Sequence, residues 1–471
     1  MKKINYRGIF GIVLSAVLLL LAFPFQCFAS DFQGYTPIST AAELDSIRNA
    51  PGGKYYLTGD IIFTEADFAE GGAFYNGGAG WDPIGSNVEN AFSGVFDGNG
   101  YSVIGLQINK EVSNIYITYA GLFGFNKGVV KNLGMENCKI AVDSYSMSSS
   151  PTAYVGAVVA FNREGSVVNC YNTGSVTANT ESQLSISYAY AGGVVGYNCD
   201  GNVVGCSNSG AVYANSTSTA SLRFSLSYSM AGGVVGFNRL GVVESCFNTG
   251  EVDATTDTDA RLCAGGITSY SYGFISDCYN IGEIRATAAS STFPSYAGGI
   301  VGYNDYASVE NCYNSARIYA RCSGSAFSGG IAGENRGGSL ANCYYLNNIS
   351  NGVGNGKDSA VAFAGDRISS IDTFAGFDFD NVWNMDAYPT LINAAKCGEN
   401  VVRSNLSKEK VFGDLNGDGV CNSKDANLLT SYVAGGSGDF ELARADINCD
   451  GTVNAKDVNV FKLIISGAIS F

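Results

Sequence analysis

The 471-residue chain contains no histidine. That absence removes His-based catalytic triads, His-Glu-x-x-His zinc sites and imidazole general bases. Any chemistry would fall to carboxylates, lysine, arginine or a bound cation. Proline is scarce at 7 residues, and charged side chains make up only 15%. Against this stand 61 glycines, 28 tyrosines and 27 phenylalanines. Many glycines and aromatics with little charge point to short strands joined by tight turns, not to helices or disorder. The net charge of −15 disfavours nucleic acid and anionic membrane surfaces as partners.

Only one long apolar run is present, at the N-terminus. Lys2, Lys3 and Arg7 precede an apolar stretch from Gly8 to Phe25, and Cys27-Phe28-Ala29 supplies a small-x-small cleavage pattern. This predicts an export signal over residues 1–29, a mature chain beginning near Ser30, and a secreted protein. No later stretch is long and apolar enough to span a bilayer.

The body of the chain repeats itself. Ala191-Gly-Gly-Val-Val-Gly-Tyr-Asn198 recurs as Ala231 to Asn238 and as Ala297 to Asn304, with weaker copies from Ala120, Val155, Ala264 and Ser328. Each copy leads to a block such as Cys170-Tyr-Asn172 or Cys312-Tyr-Asn314, and then to a short Gly-x-Val strand. From Cys138 the cysteine steps are 32, 36, 40, 32, 34 and 31 residues. Such a period with strand-like units predicts a solenoid. Three short strands and an elastic Ser/Thr/Ala-rich loop per unit suit the rungs of a parallel β-helix. Stacked rungs lie about 4.8 Å apart, so each recurring residue becomes a ladder.

Three ladders follow. The cysteines are expected to stack inside as free thiols, because an in-register column aims neighbouring Cβ vectors in parallel, against disulfide geometry. Asn126, Asn162, Asn198, Asn238, Asn304 and Asn335 form a turn ladder whose amides can bond from rung to rung. Tyr171, Phe247, Tyr279, Tyr313 and Tyr344 form either a packed aromatic stack or an exposed sugar platform. The stretches Gln183 to Tyr190 and Ser221 to Tyr228 alternate with period two and predict a flat face rich in Tyr and Ser.

These units resemble the GLUG motif, with Gly121-Leu-Phe-Gly124 as the nearest copy of its core. Trp81-Asp-Pro-Ile-Gly85 and Phe92 to Tyr101 match the lead-in of such proteins, and Gly376 to Leu391 their final rung. GLUG repeats occur in surface adhesins and beside the catalytic domain of IgA-cleaving metallopeptidases, a domain that needs histidines. The resemblance therefore implies fold and says little about function.

Two stretches near the C-terminus carry metal-ligand spacing. Asp414, Asn416, Asp418, Asn422 and Asp425 occupy positions one, three, five, nine and twelve of a twelve-residue loop, with glycine at six. Asp446, Asn448, Asp450, Asn454 and Asp457 repeat the pattern 32 residues later. This is the oxygen-ligand spacing of a calcium loop, and the carbonyls of Val420 and Thr452 complete the two sets. Two Ca2+ ions are expected. Apolar runs follow each loop, Ala426 to Val433 and Val458 to Ile465. The tandem resembles a type I dockerin over residues 411–471. The resemblance implies a small all-α module that needs calcium to fold and docks on a cohesin domain of a scaffolding protein, as in cellulosomes. It also implies partner contacts at Ser423-Lys424 and Ala455-Lys456, where the usual hydroxyl pair is missing. The near-duplication implies two docking orientations.

The expected organisation is a signal at 1–29, a mostly β solenoid at 30–393, a polar linker at 394–410 and the small calcium module at 411–471. Within the solenoid, a lead-in runs to about 119, rungs fill about 120–345, and a closing stretch follows. An enzyme of the polysaccharide lyase or glycoside hydrolase kind would need clustered carboxylates with a nearby Arg or Lys. Glu244, Asp277, Asp305, Glu310 and Glu334 are the candidates, none of them recurring with a base at matching rung offsets. The competing expectation is a non-catalytic surface for a glycan or a surface protein.

Overall fold

The computed structural model describes residues 32–183, 185–219, 227–289, 291–392, Leu415, 423–435, Val458 and Phe461. The chain divides into two compact units, Met1–Glu399 and Asn400–Phe471.

The first unit is a parallel β-solenoid. Each rung has five strands, not three. In one rung they are Lys139–Ser146, Thr152–Gly156, Val159–Arg163, Ser166–Val168 and Tyr171–Asn172. Equivalent strands stack into parallel sheets of seven, seven, eight, ten and ten strands. The additional strands come from the stretch read as an elastic loop. Ser175–Ser182, for example, is an eight-residue strand, and Tyr188–Gly192 returns beside it. The lead-in is part of the stack, since Lys54–Leu57, Val95–Asp97 and Gln107–Ser113 pair into these sheets.

The Ala-Gly-Gly-Val-Val-Gly-Tyr-Asn motif now has a residue-by-residue account. Ala120, Val155, Ala191, Ala231, Ala264, Ala297 and Ser328 stand in one register column. Gly192 turns the corner between the second and third strands, and a Cβ there would sit 1.9 Å from the Val195 carbonyl oxygen. Val194 and Val195 both enter the core. The register runs on evenly past Gly196, with Val195 opposite Val235, Tyr197 opposite Phe237 and Asn198 opposite Asn238. Tyr197 is half-buried and Asn198 fully buried.

The cysteine column is Cys170, Cys206, Cys246, Cys278, Cys312 and Cys343, all buried and free. Cys138 does not belong to it. Tyr171 pairs with Gly134, which sets Leu133 beneath Cys170, while Lys139 pairs with Ser175, which sets Cys138 beside Gly174. The first of the cysteine steps therefore measured two different positions. Burial raises every column thiol: Cys170, Cys246, Cys278 and Cys343 stay raised, while at Cys206 and Cys312 hydrogen bonds from the neighbouring column thiols outweigh burial and the net direction is down. Each thiol also lies near the carbonyl two residues back, as Cys278 Sγ does at 3.0 Å from Ser276 O. In the folded chain these six thiols should resist alkylation until unfolding, whereas the half-exposed Cys322 should react. Mass mapping after a timed alkylation checks this, and a labelled Cys246 beside an intact fold would overturn the column.

Asn126, Asn162, Asn198 and Asn238 form a continuous amide chain with Nδ2-to-Oδ1 distances of 2.7, 2.8 and 2.9 Å. Ser271 interrupts it before Asn304. A second ladder was not foreseen: Asn172, Asn208, Asn248, Asn280 and Asn314 bond in series at 2.8–2.9 Å. Its sequence signal is an Asn two residues after each of the first five column cysteines, Cys170 to Cys312.

The tyrosine ladder is a packed stack. Phe247–Tyr279 and Tyr279–Tyr313 lie 4.9 and 5.2 Å apart with nearly parallel rings. Ser207 separates Tyr171 from the rest. The segment expected as a final rung forms an antiparallel pair, Trp383–Met385 with Pro389–Leu391. It covers the stack with Phe374, Phe377 and Trp383.

Candidate functional site

Within the second unit, Ser423–Val433 is an eleven-residue helix. Ala426 and Leu429 are buried on one side of it. Gly435, at φ +95°, follows its end, in the left-handed conformation that suits glycine after a helix. Val458 and Phe461 are helical, buried and three residues apart, hence on one face. Asp425 closes the first expected loop. Its carboxylate is fully buried, and Oδ1 accepts the Leu415 N–H at 2.9 Å. Position twelve is thereby folded back to position two. A carboxylate withdrawn from water must be hydrogen-bonded or held by a cation, and the all-oxygen donor set fits a hard ion such as Ca2+. Lys424 is exposed beside it, and the Ser423 backbone opens the helix. Asp414, Asn416, Asp418, Val420, Asn422, Asp446, Asn448, Asp450, Thr452, Asn454, Ala455, Lys456 and Asp457 lie outside the described residues, as do the expected signal and linker.

Residues 412–465 match the family model of the dockerin type I domain. This segment is a type I dockerin. Dockerins of this type bind Ca2+ and dock on cohesins in cellulosome-like assemblies. Residues 294–319, ahead of the dockerin, match the GLUG motif. The matched copy is the one from Ala297 and spans most of one turn of the solenoid. Among curated proteins, the chain is 38% identical over 130 residues to a protein of Evansella cellulosilytica described as a Gly-rich membrane protein, covering 26% of this chain and 13% of that one. It is 28% identical over 147 residues to halomucin of Haloquadratum walsbyi, covering 30% of this chain and 1% of that one. The chain thus spans a small part of either relative. A solved chain described as an immunoglobulin A1 protease from Bacteroides ovatus aligns at 16% identity and a TM-score of 0.43, covering 76% of this chain and 92% of that one. At that level the likeness carries no argument. Among the described residues, no helix is long and apolar enough to cross a membrane.

On the solenoid, four of the five candidate carboxylates are engaged in side-chain contacts. Asp305 Oδ2 accepts the Tyr270 hydroxyl at 2.7 Å, Glu334 the Asn355 amide at 2.6 Å, and Glu310 the Ser308 hydroxyl at 2.7 Å. One expectation is corrected here: Asp305 does meet a base in register, Arg336 on the next rung, at 3.9 Å. Burial raises the Glu244 carboxyl. Asp277 takes the Trp383 indole N–H at 3.3 Å, and burial, with Cys312 and Glu244 adding to it, pushes its carboxyl up to about 7.

The Asp277 shift has a definite sign. The folded state holds its proton above the unfolded value of about 3.9. Its contribution to stability is therefore full below pH ~4 and lost as pH rises through about 7. Asp277 sits at φ +51° in a turn position that Asn169, Asn311 and Asn342 also occupy, and asparagine tolerates that conformation. Asp277→Asn should raise the melting temperature at pH 8 and flatten its fall between pH 4 and 7. A melting curve for the variant that keeps the wild-type pH slope would refute the assignment.

Proposed function

We propose that this chain is an exported, calcium-dependent docking subunit of a cellulosome-like complex. Residues 1–29 direct export. Two Ca2+ ions are held by Asp414, Asn416, Asp418, Asn422, Asp425 and the Val420 carbonyl, and by Asp446, Asn448, Asp450, Asn454, Asp457 and the Thr452 carbonyl. The dockerin engages a cohesin of a scaffolding protein through Ser423, Lys424, Ala455 and Lys456. The solenoid presents a non-catalytic binding surface, for a glycan or a surface protein, in the service of polysaccharide breakdown.

The dockerin match carries this reading. The non-catalytic part is supported by the carboxylates held in contacts of the fold itself: Asp305 with Tyr270, Glu334 with Asn355, Glu310 with Ser308 on its own strand, and Asp277 with Trp383 of the capping segment. A glycan array combined with turnover assays on pectin and xylan tests it. Binding without release of reducing ends or unsaturated products is the expected result. Measurable turnover by the full chain would overturn the non-catalytic reading.

A further inference from the structure

The outer surface of the second and third strands forms a concave corner. Rings on adjacent sheets meet there edge to face: Tyr154 with Phe161 at 5.1 Å and 85°, Tyr190 with Tyr197 at 5.5 Å and 87°, Tyr296 with Tyr303 at 5.0 Å and 89°. Outward side chains of neighbouring sheets can touch only where the corner folds inward, and the Gly192-Gly193 type turn folds it so. One wall is Tyr119, Tyr154 and Tyr190, continued by Met230, Cys263 and Tyr296. The other is Phe125, Phe161, Tyr197, Phe237, Tyr270 and Tyr303. The half-buried rings of the groove, Tyr119, Tyr154, Tyr190, Phe161, Tyr197 and Phe237, span four rungs, about 15 Å at the rung repeat; further along, Met230, Cys263, Tyr270, Tyr296 and Tyr303 are buried in a packed cluster.

Two observations select its ligand. Within a wall the rings cover one another: Phe161–Tyr197 lie 4.9 Å apart at 5°, Tyr197–Phe237 4.8 Å apart at 2°. A neutral sugar gains most by stacking on ring faces, and those faces are taken. What the half-buried rings offer is their edges, the positive part of the aromatic quadrupole. Beside this wall runs a cationic column. Arg163, Cys199 and Arg239 are register partners in it, and Lys127 follows Asn126, the partner of Asn162. The three cations are exposed on a chain of net charge −15. Arg163 Nε lies 3.5 Å from Glu164 Oε1, but both side chains are about half exposed, so the pairing is weak. Lys127 Nζ stands 5.9 Å from the Phe125 ring.

We propose that an extended polyuronate lies along this groove, its rings against the aromatic edges and its carboxylates toward Lys127, Arg163 and Arg239. This rests on the reading that the solenoid binds a glycan, and it adds the place and the charge class.

The test compares the full chain with two triple variants, by affinity electrophoresis and by titration. One is Lys127→Ala, Arg163→Ala, Arg239→Ala. The other, Lys139→Ala, Arg317→Ala, Arg321→Ala, removes the same charge from exposed positions on another sheet. The probes are polygalacturonate, xylan, heparin and duplex DNA. The native chain should prefer polygalacturonate, with affinity that falls as salt rises. The groove variant should lose about tenfold, the control variant about twofold or less. Equal losses in the two variants, or tighter binding of heparin or DNA, would overturn the proposal. Binding of xylan but not polygalacturonate would also overturn it while leaving the glycan-binding reading intact. A chain that binds no glycan on the array defeats both.

Discussion

Calcium removal from the full chain should abolish docking to a type I cohesin while leaving the β signal of the solenoid unchanged. Each loop gathers three aspartates within twelve residues, and without an ion these carboxylates repel one another. Asp425 shows the tension most directly, since its carboxylate is fully buried and reaches back to the loop's second residue. Because the ion site forms only in the folded state, binding and folding of the dockerin are coupled. Chelation should therefore lower helicity by the contribution of the C-terminal unit and drop cohesin affinity below detection, with both restored on adding calcium. Asp418→Ala combined with Asp450→Ala should reproduce the loss at saturating calcium. If the near-duplicate loops allow two docking orientations, replacing Ser423-Lys424 alone should be tolerated. Replacing Ala455-Lys456 as well should not. Cohesin affinity retained by the chelated chain would show that recognition does not rest on the loops.

The parts of the molecule that sequence made legible are those where one residue type recurs at one structural position. The Ala-Gly-Gly-Val-Val-Gly-Tyr-Asn copies were aligned correctly because a corner glycine, two core valines and an inward asparagine each have a steric reason to recur. Three strands per rung was an undercount because the first two strands enclose hydroxyls. Along Ser175–Ser182 the inward residues are Val176, Ala178, Thr180 and Ser182. Ser187 bonds Ser227 at 2.9 Å, and Ser229 bonds the Thr255 carbonyl at 2.8 Å. An interior of Ser and Thr satisfied by neighbouring strands has the composition of a loop. The same inversion explains the expected Tyr- and Ser-rich face: Ser187, Ser227 and Ser229 are buried, and Tyr188, Tyr190 and Tyr228 point outward. Cys138 misled because cysteine occupies two distinct buried positions in the rung. The dockerin was legible because ligand spacing is fixed by the ion and not by the packing around it.

The amide ladders should be the most sensitive part of the solenoid. Asn248 accepts from Asn208 and from the Gly250 N–H through Oδ1, and gives Nδ2 to Gly250 O and to Asn280. All of these groups are buried. Asn248→Ala would strand the Gly250 N–H, one N–H of Asn208 and the Gly250 carbonyl, and leave Asn280 Oδ1 with the Gly282 N–H alone. At about 1–3 kcal/mol for each buried group left unsatisfied, the loss should reach roughly 3 kcal/mol or more. Since rungs are coupled mainly to their neighbours, the damage should appear as early local exchange of amides around residues 208–280 before global unfolding. The first ladder allows the opposite experiment. Ser271 holds an asparagine position; its Oγ takes Asn238 Nδ2 at 3.2 Å, but the Asn304 Oδ1 has no hydrogen-bond partner among the described groups. Ser271 accepts the Gly273 N–H two residues on, just as Asn126 accepts the N–H of Gly128. An asparagine therefore already works on a turn of this length. Ser271→Asn should extend the chain of amides to Asn304 and stabilise the solenoid by about 1 kcal/mol. Denaturant titration of both variants checks the pair, and an Asn248→Ala chain as stable as wild type would mean that the ladders are packing without energetic weight.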